Sequence, residues 1–193
     1  MKIYPPGSSL LDVGTGTGAL AGELLGRGSQ VVGIDISEEM ISVARRKFKI
    51  FPNSDFLVAQ AEKLPFQPMT FDGVVSAFVI RNLHHAGNLL ASFKEFHRVI
   101  KPGGIMAHLE LTRPKRGPLL WGYSAYSATI LPTIGRVLFR GRWPGNYLRD
   151  TIRRFPAPEQ INDWLRSAGF SNLWHTPLSG GIACLFTAQK CSI

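Results

Sequence analysis

The chain has 193 residues, 45% hydrophobic and 18% charged, which is enough to bury one substantial core and too few for two domains of ordinary size. Its formal net charge of +9 favours a nucleic acid or an anionic membrane surface as neighbour without choosing between them. Met1 to Gly7 lacks the apolar run of a secretion signal, no apolar stretch is long enough to span a bilayer, and Cys184 and Cys191 have neither metal nor redox spacing, so a cytoplasmic protein without a metal site is expected.

The first predicted strand, Leu10 to Val13, breaks into Gly14-Thr15-Gly16-Thr17-Gly18 just before a helical pattern from Ala19 to Leu25. This order reads as strand, glycine turn and helix of a nucleoside-binding α/β domain. Gly14, Gly16 and Gly18, having no Cβ, let backbone approach a ligand and let the helix start tight against the strand. What the loop cradles depends on charge. A dinucleotide brings a pyrophosphate that seeks bare N–H groups, whereas S-adenosylmethionine brings a sulfonium and an ammonium, and the carboxylate of Asp12 suits the cations better. A second acid, Asp35, ends the next apolar run from Gln30, where it can accept hydrogen bonds from both ribose hydroxyls. A glycine turn alone is equally an ordinary strand-to-helix corner, but one acid per strand end makes a nucleoside clamp.

Ser37, Glu38 and Glu39 then open a helix whose later turns carry Arg45, Arg46, Lys47 and Lys49, in the order the helix dipole favours. Ile36 and Met40 join the candidate cofactor set; Met40 lines the adenine or, with equal weight, packs in the core. Asp55 to Ala59 is a third strand, and Gln60-Ala61-Glu62-Lys63-Leu64-Pro65-Phe66 leaves it as a loop at the same carboxyl edge, with Gln60 placed for the adenine edge and Leu64 and Phe66 turned inward. Phe71 to Val79 is a fourth, buried strand; Ala77 near its end belongs to the cofactor set. It leads into the polar stretch Ile80-Arg81-Asn82-Leu83-His84-His85. Asn88 to Ile100 reads as an amphipathic helix stopped by Lys101-Pro102-Gly103-Gly104, and Ile105 to Leu111 as the next strand. Strands alternating with helices predict a doubly wound, Rossmann-like parallel sheet.

From Thr112 the composition shifts to aromatics and arginines: Trp121, Tyr123, Tyr126, Trp143 and Tyr147 lie among Arg136, Arg140, Arg142, Arg149, Arg153 and Arg154. The span from Arg98 to Arg166 alone holds twelve Lys/Arg against four Asp/Glu. Ala157 to Ala168 is a last amphipathic helix ended by Gly169, and two strands follow, about Phe170 to His175 and Ile182 to Ala188, with Gly180-Gly181 turning near the pocket. The expected organisation is one domain over 1–193: a cofactor-binding half (1–111), an inserted helical, aromatic cover (112–156), and a final helix with a strand pair (157–193).

Leu11 to Gly18, Gly33-Ile34-Asp35-Ile36-Ser37, Ala61 to Phe66, Phe71-Asp72 and Leu83 to Gly104 together resemble a class I S-adenosylmethionine-dependent methyltransferase. More narrowly, Ile80-Arg81-Asn82-Leu83, Leu109-Glu110-Leu111-Thr112-Arg113-Pro114, Tyr147-Leu148-Arg149-Asp150-Thr151-Ile152 and Leu178-Ser179-Gly180-Gly181-Ile182 resemble the ubiquinone/menaquinone biosynthesis C-methyltransferase family. The resemblance implies a seven-stranded sheet with the last strand antiparallel, and cofactor contacts on Thr17, Asp35, Gln60 and Ala61. Two positions depart from the family. Gln60 stands where it usually has Asp or Asn and Ala77 where it often has Ser, so two cofactor hydrogen bonds are expected to change. The chain also begins close to the first strand, without the N-terminal helical segment that the family folds over its site.

A methyl group on a sulfonium is already activated, so the protein need only hold an electron-rich carbon in line with it and see a ring proton removed. His84 and His85 are candidates to take a proton from a quinol, with surface histidines at a helix start an equal reading; Arg81 and Asn82 would orient or polarise the quinol oxygen, unless they cap local backbone. S-adenosyl-L-homocysteine would be the product. The aromatic cover suits a polyprenyl quinol, and its basic excess would hold the protein peripherally on an anionic inner membrane surface. Two rival readings are a methyltransferase for another small molecule or RNA, for which the Asn/Asp-Pro-Pro-aromatic amino-methylating motif is lacking, and a non-catalytic cofactor-binding partner subunit.

Overall fold

A computed structural model describes residues 3–112 and 155–192 of the chain. The seven strands are β1 (Ser9–Val13), β2 (Gln30–Asp35), β3 (Ser54–Val58), β4 (Phe71–Ala77), β5 (Ile100–Leu111), β6 (Phe170–Leu178) and β7 (Ala183–Lys190). Among the described residues the helices are α1 (Ala19–Leu25), α2 (Glu38–Lys47), α3 (Ile80–His85), α4 (Leu89–Val99) and α5 (Pro158–Ser167). The strands form one sheet in the order β3-β2-β1-β4-β5-β7-β6. β1 to β5 are parallel neighbours, and β7 runs antiparallel to both β5 and β6, so the last strand is the reversed one, as expected.

This order carries the chain outward from β1 to β3 and then back across β1 to β4. The reversal sits between β1 and β4, and in such sheets the crevice at the carboxyl ends beside that reversal is where ligands bind. The sequence makes the crevice by local means. β1 is apolar and fully buried after its first residue, as a central parallel strand must be. α2 is capped by the Ser37 hydroxyl, which accepts from the Met40 N–H at 3.3 Å, with Glu38 and Glu39 in its first turn and three basic residues in its last. α5 starts with Pro158 at its first turn and is closed by Gly169 in the left-handed region.

One core lies between the sheet and α4 and α5, built on Phe93, Phe96, Ile161, Leu165 and Phe186; the other lies between α1, α2 and the β2–β3 side, built on Ile41, Phe48 and Phe56. β5 differs from expectation at its start. It begins at Ile100, directly after α4, and Lys101 to Gly104 form a bulge between the pairings Phe71 with Ile100 and Gly73 with Ile105. α4 ends at Val99, within a residue of the expected stop, and the proline and glycines that follow let the new strand kink. The expected aromatic cover and its arginines lie almost wholly outside the described residues.

Candidate active site

The glycine loop and Asp35 meet at the carboxyl end of β1 and β2. Gly16 has φ +55° and a Cβ built on it would find nothing within 4 Å, so its inner side faces open space. Gly14 and Gly18 serve packing instead: a Cβ on Gly14 would stand 2.2 Å from Val79 Cγ2, and one on Gly18 2.5 Å from Phe48 Cε2. Only the middle glycine of the three leaves room for a ligand. Asp35 is half-buried, and its two oxygens accept from the Gly16 N–H and the Ser37 N–H, each at 3.0 Å. A carboxylate has about four lone-pair sites, so two remain for hydroxyl donors.

Asp12 is buried and holds the loop from beneath, accepting from Thr15 Oγ1 at 2.7 Å. Loss of water pushes its pKa up to about 7, with the neighbouring Asp35 charge adding to the rise and the Thr15 hydroxyl and the Ala21 N–H opposing it. Thr17 is exposed on the loop; Ile36 and Met40 are exposed at 76% and 45%, which removes Met40 from the core and leaves it on the rim of the crevice. Gln60 is exposed and Ala61 buried, in a loop closed by the Lys63 N–H on the Gln60 carbonyl at 3.2 Å. Leu64 is buried and Phe66 is packed against the core, as predicted.

Across the crevice, β4 and β5 present a different construction. The Glu110 carboxylate is completely buried and accepts from the Arg81 N–H at 2.9 Å, from Arg81 Nη1 at 3.2 Å and from the Leu111 N–H at 2.9 Å. One acid thus pins the start of α3 to the end of β5. Burial pushes the Glu110 pKa upward, against the bonds and charge of Arg81 and the Leu111 N–H, and Arg81 Nε has no hydrogen-bond partner among the described residues. Asn82 is exposed. His84 and His85 do not begin a helix but end α3; His84 is half-buried with its ring tilted 42° against Trp164 at 5.3 Å, and desolvation and then His85 lower its pKa. His85 is exposed.

Ala77 lines a cavity of about 440 Å³ together with Leu20, Val75, Leu109 and Leu185. Leu20 follows the glycine loop on α1 and Leu109 lies two residues before the end of β5, and the same space runs on past Leu24 to Tyr4 and Pro6.

The ubiE/COQ5 methyltransferase family model matches residues 2–190. The chain belongs to that family. A ubiquinone/menaquinone biosynthesis C-methyltransferase UbiE of Coxiella burnetii is 38% identical over 190 residues, covering 95% of this chain and 75% of the relative. A demethylmenaquinone methyltransferase of Protochlamydia amoebophila is likewise 38% identical, over 94% of this chain and 77% of its own length. In fold the chain is similar to a SAM-dependent methyltransferase from Aquifex aeolicus, with a TM-score of 0.68 at 22% identity over 96% of this chain and 83% of that one. The cyclase SpnF has the same fold, with a TM-score of 0.73 at 21% identity over 99% and 78%.

Within this ubiE/COQ5 methyltransferase the residues expected to hold a cofactor lie on or after β1, β2 and β3, except Ala77, which ends β4 ahead of Arg81, Asn82, His84 and His85 on α3. Three features of the site were not predicted. Glu110 was read as part of a strand and of the family mark Leu109 to Pro114, without a partner; a lone acid in an apolar strand seldom stays buried unpaired, which signals that a partner exists but not that it is Arg81. His108, whose Nδ1 lies 2.9 Å from Ser76 Oγ, is buried with its pKa pushed down to about 3 and is a neutral member of the core behind the site. Phe78 has φ +62°, a conformation that no sequence pattern announces.

Proposed function

We propose that this methyltransferase moves the methyl group of S-adenosylmethionine to a ring carbon of a lipophilic quinol; its relatives are a ubiquinone/menaquinone biosynthesis C-methyltransferase and a demethylmenaquinone methyltransferase. The residues present fit the cofactor: Gly16 offers open space on its inner side, Asp35 retains free lone pairs for ribose hydroxyls, and Met40 and Ile36 offer apolar surface beside them. When bound, the sulfonium supplies an activated methyl group. The chain's own part is to bind, orient and keep water out. Asp35, oriented by the Gly16 N–H, would hold the nucleoside end, while Asp12 stiffens the loop through Thr15.

The observation that carries the quinol reading is the apolar cavity bounded by Leu20, Ala77 and Leu109. Its upper end meets Ala77 and Leu109 beside the carboxyl ends of β4 and β5 and it extends down the sheet face to Tyr4 and Pro6, an apolar space that suits a prenyl chain better than a polar acceptor. Arg81, fixed by Glu110, would polarise a ring oxygen with its remaining N–H groups. His84, kept neutral by its partial burial, would accept the phenolic proton whose loss makes ring carbon nucleophilic. The arginines between 136 and 154 would hold the protein against an anionic bilayer where such quinols reside.

The test is methyl transfer from labelled S-adenosylmethionine to reduced short-tailed benzoquinones and naphthoquinones, beside RNA and small polar acceptors. Label in the quinol alone is the expected result; cofactor binding without turnover on any acceptor would instead favour a partner subunit. The Asp35→Ala protein should bind S-adenosylmethionine more weakly by about 1.5–3 kcal/mol per hydrogen bond lost, read by calorimetry.

A further inference from the structure

A phenylalanine stands at the carboxyl edge in a conformation that L side chains rarely adopt. Phe78 has φ +62°, follows the last residue of β4, and is 42% exposed in spite of its size. Such strain persists only where the surroundings over-determine it. Here they do. The Phe78 N–H donates to the Leu109 carbonyl at 2.8 Å, Val79 is wedged against the glycine loop at Gly14, and Arg81 two residues on is tied to Glu110. The chain is therefore clamped on both sides of residue 78, and the cost falls on Phe78 itself.

The core gains little from this arrangement. The preceding residue, Ala77, lines the apolar cavity, and Ser76 before it turns to the opposite face to meet His108. A further extended residue would continue the alternation of the strand; the left-handed turn breaks it and leaves a large aromatic ring partly bare just past the end of β4, in the stretch between Ala77 and Arg81. Aromatic rings are costly to expose and are well suited to receive another ring by offset stacking or edge contact.

We propose that Phe78 is the platform on which the acceptor's aromatic ring rests, making it a specificity-determining residue for flat aromatic acceptors. The proposal rests on the quinol reading above and adds to it the surface that orients the ring, beside the guanidinium that would meet its oxygen. The ring of Phe78 forms no bond and moves no proton. It raises the fraction of bound acceptor whose reacting carbon faces the methyl group.

Four variants separate the ring from the backbone strain. Phe78→Ala and Phe78→Gly both remove the ring, but only glycine also relieves the positive φ, so the glycine protein should melt at a higher temperature than the alanine protein. Both should show the same rise in KM for a reduced short-tailed quinol, about tenfold, with cofactor Kd within twofold of wild type. Phe78→Leu should fall with them, and Phe78→Tyr should recover wild-type KM. Wild-type KM in the leucine variant, or a KM that tracks the melting temperature instead of the ring, overturns the platform. If the wild-type enzyme methylates no quinol at all, the quinol reading fails and the platform falls with it, an outcome distinct from turnover that ignores residue 78.

Discussion

The two walls of the crevice are built by opposite means. The β1–β2 wall is made of local backbone: Asp35 accepts from Ser37 two residues on and from Gly16 nineteen residues back, and the loop is shaped by glycine dihedrals. The β4–β5 wall is made of side chains that meet across the sheet, Arg81 with Glu110 over 29 residues and Ser76 with His108 over 32. A wall of main-chain N–H groups suits a ligand that is the same in every methyl transfer. Buried side-chain pairs suit the wall that must recognise one acceptor, because they can be exchanged without rebuilding the loop.

The largest difference should appear when the two acids are removed. Glu110→Ala leaves the Arg81 guanidinium buried without its counter-charge and strips the acceptor from two N–H groups. A loss of about 3–5 kcal/mol in urea unfolding is expected. Asp35→Ala exposes its two N–H donors to the open crevice, where water replaces the carboxylate, and should cost about 1 kcal/mol of stability while weakening cofactor binding. Similar stability losses in the two variants would mean that the Arg81–Glu110 pair is no more structural than the clamp.

How far each wall was legible follows from this contrast. Strand, glycine turn, helix and terminal acid lie within a few residues of one another, so the order from Leu10 to Asp35 was enough to predict the first strand–turn–helix and the acid that ends β2, while the seven strands with their reversed last member were implied by the family resemblance. The pairing of Arg81 with Glu110 depends on β4 and β5 being neighbours in register, Ala77 beside Leu109, and register is not written in either segment alone. Met40 illustrates the same limit on a smaller scale. An apolar residue in the first turn of α2 faces core or ligand according to helix phase, and here it is exposed at the rim. Pro-Gly-Gly marked the end of α4 but not that β5 already begins at Ile100, because the same residues end helices and bulge strands.

The cofactor wall should also carry a pH response of its own, opposite in sign to that of the buried His108 on β5. Asp12 titrates at about 7 in the folded protein against 3.8 as a free side chain, so the native state binds its proton more tightly than the unfolded chain does. Its contribution to stability is therefore full below about pH 4 and is lost as pH rises through about 7, with an upper bound of about 4 kcal/mol. Asp12→Asn carries no charge to bury and should remove that slope, while keeping an oxygen for the Thr15 hydroxyl. Unfolding free energies at pH 5 and pH 8 decide it: the wild type should lose more than the variant across this interval, and equal losses would place the titration elsewhere.

The finest comparison divides the glycine loop within itself. Gly14→Ala places a methyl group 2.2 Å from Val79 Cγ2 and adds a positive φ, whereas Gly16→Ala carries the positive φ with no neighbour within 4 Å. Both should pay the left-handed penalty, roughly 1–2 kcal/mol, and Gly14→Ala about 1–3 kcal/mol more for overpacking. Because the obstacle at Gly14 is a single side chain, Val79→Ala should return part of the extra loss in a double-mutant cycle but leave Gly16→Ala unchanged. Affinity should divide the other way. At Gly16 the added group enters the open space assigned to the ligand, so Gly16→Val should abolish S-adenosylmethionine binding in a protein that still unfolds cooperatively. Retained binding there would make Gly16, like its two neighbours, a residue of the fold alone.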